Sequence, residues 1–134
     1  MDKRALLKQR GQEAIRQILV ASGGVYTRDQ VAALLEISEE EVLELVEQGG
    51  LLVIELGGEH GFPKWQFDEN GIVPRFAEIL GILETSSPVG VIRFFLSQSV
   101  VLGCPPIKAL KSNMPNQVEM VRLLAQQFNQ QVAR

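Results

Sequence analysis

Apolar positions in this chain recur first at helical spacing, then at strand spacing, then at helical spacing again. The changes fall at glycine, proline and serine. Over residues 2–22, Leu7, Gly11, Ala14, Ile18 and Ala21 repeat at fours and threes, with Ile15 and Leu19 widening the stripe, so a helix is predicted. Ser22-Gly23-Gly24 ends it, because glycine takes the left-handed conformation that helix termini often need. Thr27 is a good N-cap, and Gln30 three residues on completes a capping box. Val31, Leu34 and Leu35 are the expected inward face of that second helix. A tight turn at Ile37-Ser38 leads to a third, capped by Ser38 with Glu41, facing inward with Val42, Leu45 and Val46, and closed by Gln48-Gly49-Gly50.

Strand-like patterning follows. LLVIEL, GGEHG and FPKWQF read as two β-rich flanks around a glycine-rich turn, which predicts a hairpin, with Pro63 confining its strand to an edge or to the start of pairing. Two short helices followed by a hairpin predict a winged helix-turn-helix over 25–68. DENG (68–71) is a turn, Pro74 suits the first turn of a helix, and Phe76, Ile79, Leu80 and Leu83 mark one helical face. Ser87-Pro88 restarts a helix whose Ile92, Phe94, Phe95 and Leu96 should be buried almost all round. Gly103 and Pro105-Pro106 break the chain before a short helix, IKALK. From about Asn116 to Val132, Val118, Val121, Ala125, Phe128 and Val132 form a heptad-like seam, which serves either an internal core or a dimer. The predicted fold is mainly α with a small β-hairpin wing: an N-terminal helix (1–24), a winged helix-turn-helix (25–68) and a C-terminal helical region (69–134), together one compact unit.

Charge complicates this picture. The chain's formal net charge is −3, but residues 27–60 hold Arg28 alone against nine acids. The helix that would lie in a DNA major groove reads EEEVLELVEQ and has no positive charge. A Glu about 7 Å from a phosphate costs on the order of 0.6 kcal/mol even in water. Of the side chains that usually read bases, only Gln48 is there, at the far end of the helix. DNA contacts are therefore expected from the basic first helix (Arg4, Lys8), Arg28, Gln48 and Lys64, and expected to be weak, salt-dependent and mostly non-specific. Glu40, Glu44 and Glu47 are the candidate contacts for a basic protein partner.

Catalytic and metal chemistry find no support. With 134 residues, 46% of them hydrophobic, the chain should bury roughly two-thirds of its unfolded surface and needs no staple. One His and one Cys cannot make a zinc site of the usual ligand count. His60 reads as a solvated loop residue and Cys104 as a small semi-buried filler, which suits a reducing cytoplasm. The glycine pairs lack the context of a phosphate loop, and the Glu39, Glu40, Glu41, Glu44, Glu47 cluster reads as a solvated face. No apolar run approaches a membrane span. The expectation is no enzyme, no cofactor, no small-molecule substrate and no membrane partner.

Two segments carry a resemblance. YTRDQVAALLEISEEEVLELVEQGGLL with FPKWQFDENGIVPRFAEIL resembles small bacterial helix-turn-helix proteins in which an excisionase-like unit leads into an aromatic stretch and a helix. VIRFFLSQSVVLGCPPIKALK is similar to the toxin-binding domain of the antitoxin Xre/MbcA/ParS group, with Phe95-Leu96, Leu102-Gly103 and Pro106 to Leu110 at the matching positions. Phe95 stands where that group usually has Trp, and the chain ends QQVAR rather than in a glycine-bearing tail. The resemblance implies a DNA-binding transcriptional regulator of antitoxin type. Its C-terminal helices would bind a cognate toxin, another protein or a second copy through Phe95, Leu96, Leu102 and Leu110. The alternative is a protein-interaction module that no longer reads DNA, its acidic winged-helix face docking a basic partner.

Overall fold

The computed structural model describes residues 3–84 and 86–132, without the side chains of residues 4–9, 11–12 and 131–132. The described chain is mainly helical, with a small antiparallel sheet. Its first helix, α1 (Lys3–Ala21), ends at Gly23 and Gly24, both at positive φ, and the Gly24 N–H donates back to the Leu19 carbonyl at 2.7 Å. Leu19 is buried, with Ile15 and Ile18 packed beside it, whereas Ala14 and Ala21 are exposed. The contact stripe thus follows the larger side chains and departs from the predicted one at both alanines. Leu7 and Gly11 lie outside the described side chains.

A two-residue strand, β1 (Val25–Tyr26), follows and was not expected from the sequence, since two residues are too few to show a period of two. Next come α2 (Arg28–Leu35) and α3 (Glu39–Glu47). Both predicted capping boxes form: Thr27 with Gln30, and Ser38 with Glu41. Glu36, at φ 58°, takes the left-handed conformation that ends α2 and turns the chain. Val31 and Val42 are fully buried between the two helices. Leu34, expected inward, is 41% exposed; the buried face of α2 is rotated towards Ala32.

The hairpin comprises β2 (Ile54–Leu56) and β3 (Glu59–Pro63), turning at Gly57-Gly58, both at positive φ. The first half of β3 pairs with β2 (Glu55↔His60) and its second half with β1 (Tyr26↔Phe62), giving the order β1-β3-β2. Pro63 therefore ends its strand, where its missing N–H costs no ladder bond, and the next N–H, that of Lys64, donates to the Gly24 carbonyl at 3.1 Å. His60 is exposed, as expected, but in a strand rather than a loop. A 3₁₀ turn (Lys64–Gln66) then leads into a second small hairpin, β4 (Phe67–Asp68) and β5 (Gly71–Ile72), around the predicted DENG turn.

Four helices complete the chain: α4 (Phe76–Ile82), α5 (Pro88–Leu96), α6 (Pro106–Ser112) and α7 (Pro115–Val132). Pro74 lies before α4 rather than in its first turn, because Arg75, at φ 66°, interposes a left-handed step. Ser87 caps α5 with Pro88 at its start, as the sequence indicates. The seam of α7 is internal at Val118, Val121 and Ala125, which are buried against the other helices.

Two apolar cores result. The smaller lies beneath α2 and α3 and holds Val31, Ala32, Val42, Leu51, Phe62 and Phe67. The larger runs from Leu19 through Leu52, Ile54 and Trp65 into the C-terminal helices. Leu51 and Leu52 enter different cores, as do Trp65 and Phe67. Between them, Gln66 is wholly buried; its side-chain oxygen accepts from the Leu52 N–H at 2.9 Å and its amide donates to the Leu52 carbonyl at 2.8 Å. One side chain thus satisfies both backbone groups of a buried residue at the seam between the cores.

Candidate functional site

The face built by α3 and its surroundings is acidic from end to end. Glu39, Glu40, Glu41, Glu44 and Glu47 are all exposed, while Val42 anchors the opposite side in the smaller core. Part of this acidity has a local cause. Glu39, Glu40 and Glu41 occupy the first turn, where carboxylates complement the partial positive charge of the unpaired N–H groups. Glu44 and Glu47 lie beyond that turn, with Glu47 at the C-terminal end, where a carboxylate opposes the helix dipole. Helix stability therefore accounts for the first three glutamates and not for the last two. Gln48 is the exposed C-cap and lines a shallow pocket with Ile37, Glu41, Glu44 and Leu45.

Arg28, the single base of residues 27–60, is taken up within the protein. Its Nε donates to Glu39 Oε1 at 3.2 Å, tying the start of α2 to the start of α3, with both side chains about half exposed. These residues, with Thr27, Asp29 and the hairpin residues Gly58, Glu59 and His60, line an open cleft of about 400 Å³. The Asp29 carboxyl is held below the usual carboxylate range, chiefly by the hydroxyl it accepts from Thr27. Three acids face one arginine here, and among the described residues no group of three or more His, Cys, Asp or Glu could hold a metal ion.

Lys64 stands at the base of the hairpin rather than on its tip. Its Nζ lies 5.0 Å from the centre of the Tyr26 ring, and its N–H reaches back to the end of α1. The tip itself is Gly57-Gly58 flanked by Glu55, Glu59 and His60, so no lysine or arginine extends from it. On α1, Lys3, Arg10 and Arg16 are exposed. Arg4 and Lys8 lie outside the described side chains. The predicted basic contacts are thus divided, with Lys64 at the α1 end and Arg28 paired on the acidic face.

The candidate partner contacts also divide. Glu40, Glu44 and Glu47 are presented to solvent. Phe95, Leu102 and Leu110 are buried, at 0%, 7% and 0% exposure, and Leu96 is half-buried. Phe95 packs 4.8 Å from Phe76 and 5.6 Å from Trp65, between ring centres, at the centre of the larger core. Phe95, Leu102 and Leu110 are therefore core positions in this chain, and no partner reaches them without opening the fold.

No family model and no curated protein sequence matches the chain. The NMR structure of Rv2175c has the same fold: the TM-score is 0.67 over 78% of this chain and 80% of that one, at 20% sequence identity. The match covers most of both chains, so the shared fold takes in more than the helix pair. No helix among the described residues is long and apolar enough to cross a membrane.

What residue patterning missed on the surface lies between α5 and α6. Val100 and Val101 are 99% and 63% exposed. They belong to no periodic stripe, and the signal in the sequence was an apolar pair inside a segment bounded by helix breakers.

Proposed function

We propose that the chain is a winged helix-turn-helix regulator of antitoxin type, which binds DNA weakly through the basic surface of α1 and Lys64, with its C-terminal helices as the partner-binding region. The observation that supports it is the arrangement of α2 and α3. Two helices with complete capping boxes, joined at a left-handed Glu36 and packed on one core with a following hairpin, support a reading as a unit of the kind that docks on DNA. The resemblance to small helix-turn-helix and antitoxin proteins supports the regulatory role. A fluorescence-anisotropy titration with the protein's own upstream region tests it over a salt series. Binding at about 50 mM salt that falls steeply as salt rises is the expected result, and no binding at that salt overturns the DNA reading. Co-elution with the product of the adjacent gene tests the antitoxin component.

A second reading is favoured by Glu44 and Glu47, which helix stability does not explain. In it the acidic face docks a basic protein, and DNA is not the ligand.

A further inference from the structure

We infer that the cavity at the seam between the helix-turn-helix unit and the C-terminal helices binds a small apolar cation, an aromatic or alkyl body carrying one amine. The cavity measures about 380 Å³, within the range of small-ligand sites, and such sites favour boundaries between packed units. Both apolar cores open onto it. Val46 and Val53 pack against the smaller core and Leu80 against the larger, and all three line the cavity half-buried. Leu52, whose backbone Gln66 clasps, forms part of the same wall.

Gly81 of α4 holds the space open. Its backbone is helical, so it does not use glycine's conformational freedom, and a Cβ added there would meet nothing within 4 Å. Glycine inside a helix costs stability relative to alanine, so neither the helix nor its packing explains the residue. An apolar ligand resting on α4 at that position does. Ser86 also lines the cavity, and its hydroxyl is buried without a hydrogen-bond partner. A buried polar group left in that state is destabilising, and a polar atom of the ligand supplies the missing partner.

Charge selects the amine. Glu84 is the single charged residue lining the cavity; it is exposed and pairs with no base among the described residues. Helices α3 and α4 both end here, at Gln48-Gly49 and at Leu83, and helix C-termini carry partial negative charge. Helix α5 starts at the cavity, but Ser87 Oγ already accepts from the Gly90 N–H at 3.1 Å, so this helix start has less to offer an anion. Among the described lining residues there is no histidine, cysteine or lysine to activate a reacting group, so the molecule is held rather than transformed. Touching α3, α4 and α5 at once, it would fix the helix-turn-helix unit on the C-terminal helices.

Titration of the full isotope-labelled chain with tryptamine, followed by two-dimensional NMR, tests the inference. Saturable shifts at Gly49, Gly81 and Val91 are expected, with a Kd below about 1 mM, the affinity that a well-buried ligand of about twelve non-hydrogen atoms reaches. Indole should bind about 2- to 5-fold more weakly, the difference that one exposed ion pair makes, and indoleacetate more weakly still. Glu84→Gln should bring tryptamine to the affinity of indole. Gly81→Phe should fill the space and weaken tryptamine by at least about 10-fold. Because a Cβ at Gly81 meets no neighbour, that variant should retain the wild-type circular dichroism spectrum. No saturable shift up to about 5 mM tryptamine overturns the inference and leaves the cavity to a segment of another protein. Binding that Gly81→Phe leaves intact, or that indoleacetate matches, overturns it too. The titration contains neither DNA nor a partner protein, so its failure and failure of the regulatory reading are read separately.

Discussion

Among single residues, Gln66 and the glutamates of α3 show how a polar side chain is placed by opposite needs. Gln66 is buried because its amide matches both backbone groups of Leu52, which would otherwise lie unpaired between two apolar cores. Gln66→Leu keeps the volume and removes both partners. It should lower the unfolding free energy by about 2–4 kcal/mol, measured by urea denaturation, because each orphaned buried group costs about 1–3 kcal/mol. Nothing in the local sequence KWQFD distinguishes this glutamine from a solvated one, since its partner lies fourteen residues away. Glu39, Glu40 and Glu41 were legible as helix-start residues, because a cap and a helix terminus are local chemistry. Glu44 and Glu47 carry no such local cause, and they are the residues to test for function.

At the level of elements, α3 is set firmly in place while its exposed face is hostile to phosphate. The proposed DNA contacts run through α1 and Lys64, so α3 should stay clear of the backbone. Charge reversal at Glu40→Lys, Glu44→Lys and Glu47→Lys should then tighten DNA binding only through the general field, which salt screens, and steepen the slope of log K against log salt by less than the value of about 0.9 for one phosphate contact. A slope steeper by up to about 2.7, at about 0.9 for each phosphate newly neutralised, would place α3 at the DNA instead. The same triple variant should abolish binding of a basic protein if the acidic face is the functional one, and a pull-down with the wild type as control reads that outcome. The hairpin was legible in outline from its glycine-rich turn, but β1 and the division of β3 between two partners were not. Both depend on Val25-Tyr26 meeting Phe62-Pro63, a pairing across α2, α3 and β2.

For the molecule as a whole, the larger core makes one cooperative body of segments far apart in the chain. Leu19 of α1, Leu52, Trp65 and Phe95 of α5 all enter it. Phe95→Ala should cost about 3–5 kcal/mol, as large aromatic truncations in cores do. The loss should be felt by the entire chain: the fluorescence of Trp65, which packs on Phe95, and the far-UV circular dichroism should unfold in one coincident transition. Two separate transitions would mean that the smaller core beneath α2 and α3 holds on its own.

The sequence by itself determined the helices, their caps and the main hairpin, because these rest on contacts among residues a few positions apart: Thr27 with Gln30, Ser38 with Glu41, Ser87 with Gly90. It also determined where the negative charge lies, since charge is additive along the chain. Only the tertiary structure decided which apolar residues became surface. Phe95, Leu102 and Leu110 look like binding residues by motif, yet the packing of α5, α6 and α7 encloses them. Val100 and Val101, without any pattern, are left outside by a turn pinned at Ser99 and Cys104. Burial is a property of the neighbours a residue meets after folding, and those neighbours come from elements distant in sequence.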